Sequence, residues 1–126
     1  MNLDELTKRA LEIKSLYSNL EARKSYKKWT EEETYEGLVS DVGDLGRLVL
    51  AKEGYREMPH IEEKLSHELA EILWSILLLS DSYGVDLKKA FLDEMTRLER
   101  KLTGDAVESV RESSQTESIQ AGSYNE

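Results

Sequence analysis

Apolar residues recur at intervals of three and four along most of this chain, the spacing of one face of an α-helix. In the first segment these positions are Leu3, Leu6, Ala10, Ile13, Tyr17 and Leu20. They predict a helix over roughly residues 3 to 25. Thr30 and Glu33 have the spacing of a capping box, so a second helix is expected from there to about Glu53, with Gly54 ending it.

The most hydrophobic segment follows Pro59, a residue that suits the first turn of a helix. Its apolar positions cover most of the helix circumference: Leu65, Leu69, Ile72, Leu73, Ile76, Leu77 and Leu79. We expect it to be the central, most buried helix, ending at Gly84. Asp86 can cap a fourth helix, whose apolar positions are Leu87, Ala90, Phe91, Met95, Leu98 and Leu102. No β-type alternation occurs, so the pattern predicts an all-α, antiparallel four-helix bundle-like protomer.

The end of the chain has a different composition from the helical segments. Gly104 is expected to close an ordered domain of residues 1–103, and residues 104–126 are rich in Ser, Glu and Gln. Such a segment has too few large apolar side chains to offset the entropy of ordering, so we predict a disordered tail. A third helix that is apolar nearly all round would leave hydrophobic surface exposed in a lone protomer, which favours a homodimer or a homotetramer.

Composition narrows the possible functions. The chain has 126 residues and no cysteine, which excludes disulfides and thiolate metal sites. Its longest apolar run, "ILWSILLLS", is far shorter than the ~20 residues that cross a bilayer, and its start lacks the apolar region of a signal peptide. We therefore expect a cytoplasmic protein with no membrane partner.

The net charge bears on the possible ligands. A formal charge of −9 disfavours a nucleic-acid polymer as partner, but it permits a small phosphorylated ligand held through a divalent cation.

Two pairs of acids stand beside apolar positions in the second and third helices. Asp41 and Asp44 are three residues apart, as are Glu68 and Glu71, so each pair lies on one helix face. Asp44 precedes Gly54 by about as many residues as Glu68 follows Pro59, so a short antiparallel hairpin would bring the two pairs level. Four converging carboxylates are unfavourable unless protons or a cation neutralise them, and their oxygens suit Mg²⁺ or Mn²⁺.

The acid pairs and their contexts, "VGDL" and "ELAEILWSILLLSDSYGVDL", resemble those of the MazG-like nucleoside triphosphate pyrophosphohydrolases. The resemblance covers roughly residues 26 to 102. Trp29 stands where members often carry a tryptophan. The family pattern is Glu-x-x-Glu followed by Glu-x-x-Asp, so Asp41, Asp44 and Glu71 keep the charge but exchange Asp and Glu.

The resemblance implies a Mg²⁺-dependent hydrolase that cleaves a nucleoside triphosphate between the α and β phosphates, releasing a monophosphate and pyrophosphate. Asp41, Asp44, Glu68 and Glu71 would hold the metal, and either Glu68 or Glu71 would activate the attacking water. Trp29 is a candidate for stacking on the base, or a structural anchor.

Two other interpretations can be weighed against the residues. A non-catalytic helical module would bind metal or nucleotide through the same acids without turnover. A di-iron site is disfavoured, because the Glu57 and His60 spacing contains Pro59 and has no second copy. His67 points in a different direction from Glu68 on the helix and is not expected to belong to the site.

Overall fold

The computed structural model of the protein describes residues 1–115, which form four α-helices and no strand. These are α1 (Leu3–Arg23), α2 (Glu31–Lys52), α3 (Ile61–Ser82) and α4 (Leu87–Gln115). The predicted all-α class is confirmed, and the arrangement is compatible with a helical bundle. Within the same residues, no helix combines the length and the hydrophobicity that crossing a membrane requires.

The predicted helix ends of α1 and α2 agree with the structure. The side chain of Asn2 caps α1 by accepting a hydrogen bond from the backbone N–H of Glu5 at 2.9 Å. At the start of α2, the Glu33 carboxylate accepts a hydrogen bond from the backbone N–H of Thr30 at 2.9 Å, as a capping box requires. Gly54 follows α2 with a φ of +90°, a left-handed conformation that ends a helix and that favours glycine.

Two predicted boundaries are wrong. Pro59 lies outside α3, which begins at Ile61 after His60, a residue with a left-handed φ of +57°. At the other end, α4 continues through Gly104 to Gln115. A glycine inside a helix costs only about 1 kcal/mol, and Gly104 is not among the residues with positive φ. The predicted disordered tail covered residues 104–126, of which 116–126 lie outside the described residues.

Helices α2 and α3 form an antiparallel hairpin, and α1 packs against α3. An ion pair between Lys52 and Glu62 joins the two arms of the hairpin near its loop. Farther along α3, the Trp74 indole N–H donates a hydrogen bond to the carbonyl oxygen of Ala10 at 3.1 Å. The buried core lies at this α1–α3 contact and consists of Ala10, Leu77 and Leu78, with Leu3, Leu11, Trp74 and Leu87 packed around it.

The chain divides into two compact units, and the first of them contains the hairpin and α1. Unit 1 comprises Met1–Leu87, and the second unit begins at Lys88, so it contains almost all of α4. In α4 the apolar side chains of Phe91, Leu92 and Met95 are exposed. The domain limits expected from the sequence, residues 1–103, stay a prediction.

Replacing Leu77 by Ala should lower the free energy of unfolding by about 2 to 5 kcal/mol, because its side chain is 3% exposed and its loss leaves a cavity in a small core. Urea unfolding followed by circular dichroism measures the change. The matched control is Leu16→Ala, since Leu16 is 61% exposed on α1 and its loss should shift stability by only about 0.5 kcal/mol. Equal effects of the two variants would contradict the packing described for α1 and α3.

Candidate functional site

Three of the four predicted acids converge where α2 and α3 face each other. Asp41, Asp44 and Glu68 each offer a carboxylate oxygen, and these oxygens lie within 4.8 Å of one another. Asp41 and Asp44 are one turn apart on α2, and the antiparallel pairing brings Glu68 of α3 against both. We call these three side chains the acid group. The hairpin geometry inferred from the sequence therefore holds for three of the four residues.

Glu71 stands outside the acid group. Its carboxylate lies 3.8 Å from the Nε2 atom of His67, one turn earlier on α3. Its side chain is 39% exposed and therefore available to solvent. The fourth acid is thus near the group without joining it, and His67, which the sequence placed outside the site, contacts that acid.

Glu68 is the member of the acid group that the fold protects most from water. It is 9% exposed, and its buried Oε1 atom has no hydrogen-bond partner. Burial raises the pKa of Glu68 above its ordinary value, the carboxyl contact with Asp41 and the negative charges of Asp41 and Asp44 raise it further, and His67 opposes the shift. An unpaired buried carboxylate oxygen is costly, and it marks a position where a proton or a cation would be stabilised.

The donor set of the acid group fits a hard divalent cation. All three side chains present carboxylate oxygens, the ligand type that Mg²⁺ and Mn²⁺ prefer. They come from two helices of one hairpin, so the backbone holds their spacing without any flexible loop. The unpaired Oε1 of Glu68 gives the set one oxygen that no protein group already satisfies.

Asp44 has a partner that the sequence analysis did not identify. Arg47, three residues later on α2, forms an ion pair with it. Both side chains are about half exposed, at 58% for Arg47 and 42% for Asp44. The spacing of three residues was the available signal, because such residues are neighbours on a helix surface.

An aromatic pocket lies on one side of the acid group and is lined by residues of α1, α2 and α3. Its volume is ≈ 330 Å³, and its walls include Asp41 and Glu71 together with the rings of Tyr17, Trp29 and Trp74. The ring centroids of Tyr17 and Trp74 are 5.9 Å apart, within the range of aromatic packing. The wall also contains Lys14 and Glu21, so the pocket combines aromatic surface with a few charged groups, as small-molecule sites commonly do.

Trp29 reaches this aromatic pocket from the connector between α1 and α2. Its indole N–H donates a hydrogen bond to the Thr34 hydroxyl at 3.1 Å, which fixes the ring, yet the residue is 50% exposed. A side chain added at Gly37 would place its Cβ 3.7 Å from the Trp29 ring, an ordinary contact distance. The Trp29 ring is thus held by a hydrogen bond at its N–H, and it lines the aromatic pocket.

A second pocket lies on the other side of the acid group, toward the hairpin loop. Its volume is ≈ 470 Å³, and Asp44 and Glu68 form part of its wall. Arg47 and Lys64 line it as well. We call it the loop-side pocket. The acid group therefore separates two cavities, with Asp41 bordering one and Asp44 and Glu68 bordering the other.

The raised pKa of Glu68 predicts a pH-dependent stability difference between the metal-free protein and Glu68→Gln. A raised pKa in the folded state means that folding favours the protonated acid, so this stabilisation is complete below the ordinary pKa of 4.5 and is lost as pH rises through the raised value. The stability of the parent relative to the variant should therefore fall as the pH rises above the ordinary pKa of 4.5. Urea unfolding with EDTA present measures it, and a pH-independent difference would contradict the arrangement of the acid group.

Comparisons of the chain with protein-family models, with curated proteins and with solved structures found no match. The likeness to MazG-like enzymes therefore rests on the two acid pairs with their sequence contexts. The geometry of the acid group and of its two pockets provides a separate basis for a functional proposal.

Proposed function

We propose that the protein is a Mg²⁺-dependent nucleoside triphosphate pyrophosphohydrolase, with Mn²⁺ as an alternative ion. The observation that carries the proposal is the convergence of Asp41, Asp44 and Glu68 beside an aromatic pocket, with one buried carboxylate oxygen unpaired. A cation site next to apolar aromatic walls suits a ligand that has both a charged phosphate chain and a flat ring. Nucleotides have both parts.

The acid group would hold the cation through oxygens of Asp41, Asp44 and Glu68. When bound, the ion would neutralise charge on phosphate oxygens and lower the pKa of a nearby water. The protein's contribution is to keep three carboxylates close together against their mutual repulsion, and it does so with the rigid packing of α2 on α3. A preformed set of ligands loses little conformational entropy when the ion binds.

Glu71 is the best-placed general base. It lies outside the acid group, lines the aromatic pocket and is 39% exposed, so its carboxylate can accept a proton from water. In the proposed reaction the water oxygen bonds to phosphorus as the bridging P–O bond between the α and β phosphates breaks. One water is consumed, and a nucleoside monophosphate and pyrophosphate leave. Between the two candidates that the sequence left open, this placement favours Glu71 over the nearly buried Glu68.

Trp29 and the rings across from it are proposed to bind the base. The Trp29 ring is fixed at its N–H by Thr34 and remains half exposed, which is what a stacking surface needs. Trp74 packs against α1 and also forms part of the pocket wall. Two indoles and a phenol would offer flat apolar surfaces to a planar ligand.

A non-catalytic metal- or nucleotide-binding module is the second candidate. The ion pair between Arg47 and Asp44 favours it, because a guanidinium already neutralises one of the three carboxylates. In such a module the acids would bind their ligand without turnover. Pyrophosphate release from a panel of nucleoside triphosphates, measured with and without Mg²⁺, separates the two candidates.

Assembly into a homodimer or homotetramer is also proposed. On the hairpin, Val39 and Val42 of α2 are 52% and 51% exposed, and Leu69 and Leu73 of α3 are 54% and 43% exposed. Each pair has the spacing of one helix face, and the antiparallel pairing brings Val39 level with Leu73 and Val42 level with Leu69. An apolar face that spans two helices is suited to burial against a second copy.

Substitutions in the acid group should reduce both turnover and the stabilisation of the protein by Mg²⁺. Asp41→Asn, Asp44→Asn and Glu68→Gln should each reduce turnover on the order of 100-fold or more, because a lost ligand weakens transition-state charge stabilisation. Each should also shrink the Mg²⁺-dependent rise in melting temperature, because bound Mg²⁺ stabilises the folded state by RT ln(1 + [Mg²⁺]/Kd). By contrast, Glu71→Gln should lower turnover and keep that rise, because Glu71 stands outside the group.

The matched control is Glu36→Gln, which removes an exposed acid from α2 at a position away from both pockets. It should behave like the parent in both assays. Retention of the Mg²⁺-dependent shift by all three acid-group variants would refute the metal site. Loss of the shift without any turnover by the parent on the panel would select the non-catalytic module.

The proposed assembly predicts that the parent sediments as a dimer or larger at micromolar concentration, and that Leu73→Lys shifts it toward smaller species. A lysine on the exposed apolar face would have to be desolvated in the interface, which is unfavourable. Leu16→Lys places the same charge on α1 at a residue 61% exposed and should leave sedimentation unchanged. Analytical ultracentrifugation measures both, and a monomeric parent would rule the assembly out.

A further inference from the structure

The loop-side pocket places two basic side chains, Arg47 and Lys64, next to the acid group. On α2, Asp41, Asp44 and Arg47 follow one another at steps of three residues. On α3, Glu68 is followed toward the loop by Lys64, four residues earlier. Such steps keep side chains on one face of a helix, so Arg47 and Lys64 lie about one turn from the acids. Both line the loop-side pocket with Asp44 and Glu68.

Basic groups at this pocket stand out in a chain of net charge −9. The sequence has two histidines, and both of them, His60 and His67, line the pocket with Arg47 and Lys64. One further acid, Glu63, is also present in the wall. The wall nevertheless offers a guanidinium, an ammonium and two imidazoles, all of which can donate hydrogen bonds. These donors suit an anion with several oxygens.

We propose that Arg47 and Lys64 bind the β and γ phosphates of the substrate in the loop-side pocket, while the base occupies the aromatic pocket. The inference rests on the proposed function, and it assigns the phosphate-binding residues that the sequence alone did not reveal. The acid group lies between the two pockets, so a nucleotide spanning them would have its phosphate chain beside the cation site. Its base would stack on rings at one end, and its β and γ phosphates would meet Arg47 and Lys64 at the other.

The ion pair between Arg47 and Asp44 gives this assignment a specific chemical consequence. A guanidinium in contact with Asp44 competes with any cation for that carboxylate. A phosphate chain in the loop-side pocket would offer Arg47 another anionic partner and leave Asp44 free for the cation. Binding of the cation and binding of the polyphosphate should then strengthen each other, as two ligands do when each removes a competitor of the other.

Calorimetry on the full chain tests the assignment with inorganic tripolyphosphate and with AMP, each in the presence of Mg²⁺. Arg47→Gln and Lys64→Gln should each weaken tripolyphosphate binding about tenfold, the effect of losing one charge-assisted hydrogen bond. AMP affinity should change little, since AMP has no β or γ phosphate. With Mg²⁺ alone, Arg47→Gln should bind as tightly as the parent or more tightly, because the competitor of Asp44 has gone.

Arg23→Gln and Lys8→Gln are the matched controls, because they remove the same charges from exposed positions of α1 away from the loop-side pocket. Both should bind tripolyphosphate like the parent. Unchanged tripolyphosphate binding by Arg47→Gln and Lys64→Gln would overturn the assignment, and so would an equal loss in the controls. The proposed function is judged separately by turnover of the parent on the nucleotide panel, so either proposal can fail alone.

Discussion

The antiparallel pairing of α2 with α3 is the constraint on which the candidate site depends. Because each helix rises a fixed distance per residue, the pairing decides which side chain of one arm faces which side chain of the other. It places Glu68 against Asp41 and Asp44, and residues of both arms line the aromatic pocket and the loop-side pocket. A small change in that pairing would separate the acids and alter the walls of both pockets.

Hydrophobic packing against α1 holds α3, the arm of the hairpin that carries Glu68, in place. The core at the α1–α3 contact contains few fully buried side chains, yet it anchors α3 through Leu77, Leu78 and the Trp74 hydrogen bond. The Lys52–Glu62 ion pair is exposed and contributes little by itself. Three carboxylates held close, one of them almost buried, oppose the folded state when they are all ionised. A ligand that binds only the folded state, such as a cation held by the acid group, would offset this unfavourable free energy.

The sequence was sufficient to predict the helices and the acid pairs, because both depend on local spacing. Capping at Thr30 and the left-handed Gly54 follow from short-range chemistry that the residues show directly. The end of the last helix was misjudged at Gly104, since glycine lowers helix stability without forcing a positive φ. The position of Glu71 outside the acid group depends on side-chain direction in the packed hairpin, which residue spacing does not determine. The two pockets could not be predicted from residue spacing either, because their walls combine residues of different helices and of the connecting segments.

The hairpin loop should tolerate insertions during evolution better than the two helical arms do. The loop between Lys52 and Ile61 contains no member of the acid group, so added residues there would cost only a modest closure entropy. A single residue inserted within an arm, between Asp44 and Lys52, would instead turn the acids about 100° around the helix axis relative to the residues nearer the loop. Natural variants of this protein should therefore accumulate insertions in the loop, and tolerate them in the arms only in steps that restore whole helical turns.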